Sequence, residues 1–407
     1  MKNNSLKLNS IKSYLSMAFL LMPLLLLFVG GTIEKKSFIE KLASEYVSDA
    51  ANNALVIGII RNGKQEVFTF GETHKGNRKK PSINAIFEIG TSSEVFTTSL
   101  LALLESEGKI SSLESVQDVL KGKMTIPFYQ RLVCKPRDIT DKDSYRFKSN
   151  SCYPDPQDAP QMMVLCDLAT HSAGLPTTPF GDISDPKNTF SNYSLDSLNY
   201  DVSELPPNQA FGYQYNYSML GMGLLGEALG IKMKKNYETL LKEKILGPLS
   251  MTHTFVTPTP EQANLFLSGH NSKGKSVSHR NYNALTPAAG IRSSVPDLLK
   301  FIEANLTTKT KFNIALSETQ IPRLFTDHNN KDYMIGWGWI SKQINDKSKK
   351  RLFWQCGEQG GFATFMGFNK ENKIGVVILS NTANRTDDIG FKILEYLENA
   401  PKTALAD

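Results

Sequence analysis

The stretch FEIGTSSEVFTTSLLALLESEGKI, residues 87–110, passes from a strand pattern into a helical one within a few residues. After Thr91 the apolar side chains recur at helical spacing, which predicts a helix buried along one face, and Gly108 stands where a helix commonly ends. A helix that starts directly after a strand aims its positive dipole end at the turn, an arrangement that suits a nucleophile. In this turn the sequence places the hydroxyls of Thr91 and Ser93 and the carboxyl of Glu94.

Strand patterns lie toward both ends of the chain. Residues 54–72 form two β-rich runs around Asn62-Gly63, a strong hairpin signal. Short turns separate the later runs, which predicts antiparallel neighbours and one sheet shared with the hairpin. The fold class expected is therefore α+β. The later runs are residues 333–340, 351–357, 361–369 and 373–381, followed by a helix over IGFKILEYLE, residues 389–398.

Helical patterns dominate the middle of the chain, so we expect an inserted helical lobe. The predicted division is a sheet lobe at about 37–90 and 286–400, a helical lobe at about 91–285, and a tail at 401–407.

The first 36 residues differ from the rest. Three lysines precede the apolar run YLSMAFLLMPLLLLFVGG at residues 14–31, a pattern typical of a secretory signal or a single transmembrane anchor. Small residues permit cleavage after Gly31, yet the run is nearly long enough to span a bilayer, so both outcomes stay open. Either one predicts an exported, periplasmic or extracytoplasmic protein, with a membrane contact if the leader is uncleaved.

Composition and charge exclude several classes of partner. Hydrophobic residues make up 40% and charged residues 21%, as in a globular protein. The net charge of +6 would fall to +3 without residues 1–31, too little to predict nucleic-acid binding. The six histidines have no ligand spacing, and GEQGG at residues 357–361 lacks the lysine of a phosphate loop, so we predict no metal and no cofactor.

Two of the four cysteines, Cys134 and Cys152, flank a polar stretch without periodicity. In an oxidising compartment they would close this loop as a disulfide, worth about 3 kcal/mol. Two free thiols in a mobile insertion are the alternative. Cys166, within an apolar segment, is interpreted as a small buried side chain.

Six blocks of sequence, in this order, resemble the serine β-lactamase and penicillin-binding-protein family, in the branch of class C β-lactamases, D-alanyl-D-alanine carboxypeptidases and esterases. The resemblance covers nearly all of residues 37–400 and implies a β-lactamase/transpeptidase-like fold. The blocks are FEIGTSSEVFT, LATHSAGLP, YSMLGMGLLGEALG, ILGPLSMTHTF, TPAAGIRSSVPDLLKFIEANL and GGFATFMGFNKENKIGVVILSN.

The resemblance implies a nucleophile and a base in an S-x-x-K motif, and the matching positions are Thr91 and Glu94. Ser93 matches a position that is commonly serine in the family. A Y-x-N motif supplies a tyrosine for proton transfer and a substrate-binding asparagine; it aligns with Tyr217 and Met219, with Tyr215 as an alternative start.

The third family motif, K-T-G or H-T-G on the strand beside the cleft, binds the substrate carboxylate. It aligns with Gln355, Cys356 and Gly357, so only the glycine is retained. Cys356 is interpreted as a filler in place of threonine rather than as a nucleophile. His171, in the block LATHSAGLP, is interpreted as a loop-packing residue.

Three altered motifs predict a degenerate site. The threonine methyl crowds attack, and a carboxylate is a weak base for a hydroxyl. Replacing two cations by an anion and a neutral amide should repel carboxylate-bearing substrates, since a unit charge at about 4 Å contributes roughly 4 kcal/mol at an effective dielectric constant of 20. The leading hypothesis is a silent protein that binds a small molecule or an envelope ligand. An unusual esterase, peptidase or amidase using Thr91 or Ser93, with Tyr217 in proton transfer, is the alternative.

Overall fold

The computed structural model describes residues 35–135, 151–179, 190–204, 209–327, 329–344 and 350–400. The strands are β1 (Ala54–Arg61), β2 (Lys64–Gly71), β3 (Phe87–Glu88), β4 (Leu132–Lys135), β5 (Ser151–Pro154), β6 (Gly269–His270), β7 (Ser276–Val277), β8 (Arg292–Ser293), β9 (Leu324–Phe325), β10 (Tyr333–Ile335), β11 (Ile340–Gln343), β12 (Arg351–Gln359), β13 (Phe362–Asn369) and β14 (Ile374–Ser380). The helices are α1 (35–48), α2 (Glu94–Ser106), α3 (Val116–Leu120), α4 (Leu165–Ala169), α5 (Leu195–Glu204), α6 (Met219–Met233), α7 (Tyr237–Leu241), α8 (Pro260–Ala263), α9 (Thr286–Ala289), α10 (Val295–Asn305), α11 (Lys311–Glu318) and α12 (Asp387–Asn399).

An eight-stranded antiparallel sheet forms the frame of the molecule, in the order β2-β1-β14-β13-β12-β11-β10-β9. The N-terminal hairpin therefore pairs with the C-terminal strands, and the predicted shared sheet is confirmed. The α+β class is confirmed as well.

Both faces of the central strands are buried, which explains their nearly continuous apolar runs. Ile57 of β1 and Ile378 of β14 pack with α1 and α12 on one face. Their neighbours Val56 and Val377 face the other way, into a core that includes Leu298 of α10. Side chains alternate between the faces of a strand, so a sheet covered on both sides needs apolar residues at every position.

The predicted hairpin around Asn62-Gly63 is confirmed. Asn62 and Gly63 have φ angles of +51° and +84°, the left-handed pair that a two-residue hairpin of this twist requires. The single strand predicted over residues 333–340 is wrong, since the chain forms β10 and β11 with a turn between them. Gly338 makes this turn possible with a φ of +77°, and a β-carbon there would lie 2.9 Å from Thr98 Oγ1 of α2.

Helix α2 is more deeply buried than predicted. Every residue from 94 to 104 is buried, so the expectation of one buried face is wrong. Its polar face tolerates burial because the hydroxyls are small and hydrogen-bonded. Thr97 Oγ1 donates to Pro287 O at 2.7 Å, Thr98 Oγ1 to Trp337 O at 2.9 Å and Ser99 Oγ to Val95 O at 2.6 Å.

A small hairpin pairs β4 with β5, and its register places Cys134 opposite Cys152. The apolar run at residues 14–31 lies outside the described residues. Among the residues that the structure does describe, there is no helix long and apolar enough to span a membrane.

Candidate active site

The turn before α2 presents Thr91 beside strand β12. It is a 3₁₀ segment, Gly90–Ser93, that follows β3 and leads into α2. Thr91 Oγ1 donates a hydrogen bond to Cys356 O at 3.0 Å. The close approach of β12 requires Gly357, where a β-carbon would lie 2.3 Å from Ile89 O. The one glycine retained in the third motif thus has a steric explanation.

Glu94 is completely buried and lies at the centre of a hydrogen-bond cluster. Tyr217 OH donates to Glu94 Oε1 at 2.8 Å. His171 Nε2 is 3.2 Å from Glu94 Oε2, and Gln355 Nε2 approaches the same oxygen at 3.5 Å. A buried carboxylate needs such donors, since an unpaired charge would be strongly destabilising there.

The backbone fixes the proton on His171. Ser218 N donates to His171 Nδ1 at 3.2 Å, so Nδ1 is the acceptor and Nε2 carries the hydrogen that faces Glu94. The sequence assigned His171 to loop packing and missed its place in this cluster. Sequence spacing gave no sign of the contact, because 77 residues separate His171 from Glu94.

Tyr217, and not Tyr215, bonds Glu94 and lines the cleft. Its hydroxyl binds Glu94, while Tyr215 packs edge-on against His171 with ring centroids 5.8 Å apart. Burial raises the pKa of Tyr217 well above its usual value, and the charge of Glu94 and the hydrogen bond to it raise this pKa further. The phenol therefore stays protonated at neutral pH.

Gln355 contributes to the cluster rather than to the cleft. It is buried, and its amide also donates to Gly338 O at 3.1 Å. Among the described residues that line the cleft, Cys356 and Gly357 appear but Gln355 does not. Burial, and then the charge of Asp387, raise the pKa of the Cys356 thiol to about 12, which favours the neutral thiol at neutral pH.

A cleft of about 340 Å³ opens between the turn before α2, the start of α6 and strand β12. Thr91 and Tyr217 both line it, together with Met219. The remaining lining residues are Thr177, Thr178, Cys356, Gly357, Glu358, Gln359, Ala363, Thr364, Arg385, Thr386 and Asp387.

Ser93 does not lie in this cleft. It is buried, and its Oγ accepts a hydrogen bond from Ile291 N at 3.1 Å. This hydrogen bond links the turn before α2 to the residue that precedes strand β8. In the parts of the chain that the structure describes, no group of three potential metal-ligating side chains occurs.

Among the described residues, the Thr91 hydroxyl lies in the cleft and hydrogen-bonds a group that cannot take its proton. The partner of the Thr91 hydroxyl is a carbonyl oxygen, which is not a base, and the hydroxyl of Tyr217 already donates its hydrogen to Glu94. General-base activation needs an acceptor within about 3 Å of the hydroxyl.

Comparison with known proteins identifies the class. The profile of the family described as Beta-lactamase matches residues 39–395. The chain therefore belongs to the β-lactamase family, and the predicted family resemblance is confirmed.

Relatives with curated names agree with this assignment. The chain is 24% identical to a Beta-lactamase of Pseudomonas fluorescens over 356 residues, 80% of this chain and 88% of the relative. It is 23% identical over 378 residues to the D-alanyl-D-alanine-carboxypeptidase/endopeptidase AmpH of Escherichia coli (strain K12), covering 88% of this chain and 87% of that protein.

Solved structures confirm the fold. A class C β-lactamase superposes with a TM-score of 0.73 at 20% identity, covering 90% of this chain and 98% of the other. A β-lactamase/D-alanine carboxypeptidase from Pseudomonas syringae gives a TM-score of 0.70 at 18% identity, covering 90% and 99%. The β-lactamase/transpeptidase-like fold is thus confirmed.

Proposed function

We propose that this β-lactamase-family protein is catalytically silent and acts by binding a ligand in its cleft. The observation that carries this proposal is the bond between Tyr217 and Glu94. The positive charge of a lysine at position 94 would stabilise the phenolate and lower the pKa of the phenol, whereas a carboxylate keeps the phenol protonated. The Thr91 hydroxyl is therefore left without a base.

The residues at the substituted motif positions stabilise the fold through hydrogen bonds. Glu94 draws hydrogen bonds from Tyr217, His171 and Gln355, which come from three separate parts of the chain. Positions that supply chemistry in the family pattern here hold the walls of the cleft together. The cleft itself is retained, which supports a binding role.

The site of action that we propose is the cell envelope. The basic and apolar leader at residues 1–31 supports export, either as a cleaved signal or as an anchor. The family membership supports it too, through relatives named for β-lactams and D-alanyl-D-alanine bonds.

A second candidate function is an atypical hydrolase with Thr91 as nucleophile. The open cleft favours it, because Thr91 and Tyr217 both line the cavity and Met219 does not fill it. In this alternative, a ligand group or a water molecule would have to accept the Thr91 proton.

Covalent labelling separates the two functions. The purified protein is incubated with a penicillin and with a fluorophosphonate, and its intact mass is measured beside an active class C β-lactamase and a Thr91→Ala variant. We expect no adduct under conditions that fully label the active enzyme. An adduct that disappears in Thr91→Ala would overturn the silent assignment and establish Thr91 as a nucleophile.

A further inference from the structure

One end of the main sheet carries the hairpin between β1 and β2 and the turn between β13 and β14, and we call it the turn end. The two turns touch, since Asn62 N donates to Lys373 O at 2.9 Å. Helix α1 begins at the same end, because Lys35 in its first turn pairs with Glu66 on β2. The surface at the turn end is therefore the surface nearest to the leader.

The apolar run of the leader ends a short distance from this surface. Residues 32–34 alone separate Gly31 from Lys35. An extended chain advances at most about 3.6 Å per residue, so Gly31 and Lys35 lie within about 14 Å of each other. If the run is inserted in a bilayer, this short tether brings the turn end to the lipid headgroups.

The turn end carries an excess of positive charge. Around its two turns, the residues that the structure describes include seven cations and four carboxylates. This excess of three equals the net charge of +3 for residues 32–407, so the rest of that stretch is balanced. The cations are Lys35, Arg61, Lys64, Lys309, Lys350, Lys370 and Lys373, and the carboxylates are Glu66, Glu303, Glu371 and Glu398.

The charges farther along the same end cancel. Lys342 of β11 lies 3.4 Å from Asp332, and Asp327 and Lys331 belong to the same connection between β9 and β10. The positive surface is thus confined to the part of the turn end that adjoins the start of α1.

Three of the cations are available to a partner. Lys64, Lys309 and Lys373 are exposed, and within the described ranges none of them lies within 4.0 Å of a carboxylate. Lys309 and Lys373 line a cavity of about 200 Å³ between the hairpin and the end of α10. The carboxylate in its lining, Glu303, accepts a hydrogen bond from Gln65 Nε2 at 2.9 Å. Two lysines against one occupied carboxylate suit a phosphate group.

We propose that the leader is retained as an anchor and that the turn end lies against an anionic lipid surface, with Lys64, Lys309 and Lys373 at the headgroup phosphates. Two separate observations carry this inference, namely the short tether and the unpaired lysines. Anionic headgroups attract such side chains within a Debye length, about 8 Å at 0.15 M salt. The inference rests on the proposed location at the cell envelope and names the partner there.

The contact would orient the cleft away from the bilayer. Ala363 lines the cleft and lies six residues before Asn369, which is at the turn end of β13. Six residues of strand span about 20 Å. The ligand of the proposed binding function therefore reaches the cleft from the aqueous side.

Lysine acetylation in nanodiscs tests the contact. The full-length protein is reconstituted in phosphatidylcholine alone or with about one third phosphatidylglycerol, treated with an acetylating ester and analysed by peptide mass spectrometry. We expect Lys64, Lys309 and Lys373 to react about threefold or more slowly in the anionic discs, and this protection to disappear at about 1 M salt. The exposed Lys79 and Lys275, at the other end of the sheet, should react equally in both discs.

Charge variants locate the effect. Their readout is Lys350, which lies at the turn end through its bond to Asn372 and should also be protected in anionic discs. Neutralising the three exposed lysines together should reduce the protection of Lys350 by about half or more. The matched control neutralises three exposed lysines at the other end and should leave it unchanged. The variants are Lys64→Gln, Lys309→Gln and Lys373→Gln, against Lys79→Gln, Lys273→Gln and Lys275→Gln.

Several results would overturn the inference. They are equal acetylation of the turn-end lysines in both discs, equal slowing at Lys79 and Lys275, and protection of Lys350 that survives in the turn-end variant. An intact mass of the native protein that lacks residues 1–31 would overturn it as well. Equal protection by soluble polyphosphate in neutral discs would assign the surface to a soluble polyanion instead.

The outcome is separable from that of the proposed function. Covalent labelling of Thr91 needs no membrane, so a labelled protein with protected turn-end lysines would refute catalytic silence and support the lipid contact. An unlabelled protein without lysine protection would refute the lipid contact alone.

Discussion

Tyr217 donates its phenolic hydrogen to Glu94 across 2.8 Å, in the place where the family pattern puts a tyrosine beside a lysine. The two arrangements place opposite charges beside the phenol. A neighbouring cation lowers the pKa of a phenol and makes it a better base, while a neighbouring carboxylate raises that pKa. A carboxylate at position 94 therefore favours the protonated phenol, whereas a cation there would favour the phenolate.

Removing the carboxylate should destabilise the protein. Glu94→Ala leaves the donors on Tyr217 and His171 without their acceptor inside the fold, and we expect a loss of about 3 kcal/mol in the free energy of unfolding, measured in urea. The control Glu40→Ala removes an exposed glutamate, whose pair with Lys36 is 3.8 Å long, and should change stability by less than about 0.5 kcal/mol. Equal stability of both variants would contradict the structural role of Glu94.

Restoring the nucleophile alone should not restore reactivity. Thr91→Ser removes the crowding methyl group but leaves the hydroxyl without a base, so we expect no penicillin adduct by intact mass. The combined variant Thr91→Ser, Glu94→Lys, Met219→Asn, Gln355→Lys and Cys356→Thr returns the full set of motif side chains and should form an adduct. Circular dichroism verifies that this variant is folded. Labelling of Thr91→Ser by itself would show that a base is already present.

Native cysteine reactivity should be very low. With pKa values raised by burial to about 12 for Cys356 and about 11 for Cys166, fewer than about one thiol in a thousand is ionised at pH 7.5. We expect Ellman's reagent to react with neither residue until the protein unfolds. Because the thiolate fraction grows with pH, the rate should rise as the pH approaches 10. Rapid reaction of Cys356 at neutral pH, lost in Cys356→Ala, would contradict this expectation.

Cys134 and Cys152 stay a predicted disulfide. Residues directly opposite on antiparallel strands have Cα atoms about 4.5–5.5 Å apart, within the range that a disulfide spans. Alkylation of the purified protein in denaturant should modify two cysteines without reductant and four after reduction. Four alkylated cysteines in both samples would favour the alternative of free thiols.

Asp167 should make stability depend on pH. Burial raises the pKa of this carboxyl from 3.8 to about 6, although the hydrogen bond from Val164 N opposes the shift. The folded state therefore binds the proton more tightly, and its contribution to stability is full below about pH 4 and is lost as the pH rises through 6. Relative to wild type, Asp167→Asn should gain up to about 3 kcal/mol between pH 4 and pH 8. Parallel curves of stability against pH for the two proteins would refute this.

The sheet was predictable because its signals are local. The turn at Asn62-Gly63 and the apolar runs of the C-terminal strands specify neighbours directly, and the spaced family blocks supplied the rest. The single strand predicted over residues 333–340 includes the alternating residues Trp337 and Trp339. Alternation of large apolar residues is typical of a strand, but here it occurs in a turn that packs against α2. Helix α2 was misjudged for a related reason, because polarity in sequence does not reveal that a hydroxyl has found a buried partner.

The site was only partly predictable. Thr91, Glu94 and Tyr217 followed from motif positions, but the role of Gln355 depended on a contact across 261 residues, which no pattern in one sequence displays. The contact between His171 and Glu94 was not predictable for the same reason. Long-range hydrogen bonds decide which polar side chains face a cleft and which face each other.

The cluster around Glu94 also bears on how such a site could change over generations. A lone substitution of Glu94 by lysine would set an ammonium group against the hydrogens of His171 and Gln355. The side chain at position 94 is therefore tied to its hydrogen-bond partners, and a change of chemistry at this site would require several substitutions at once.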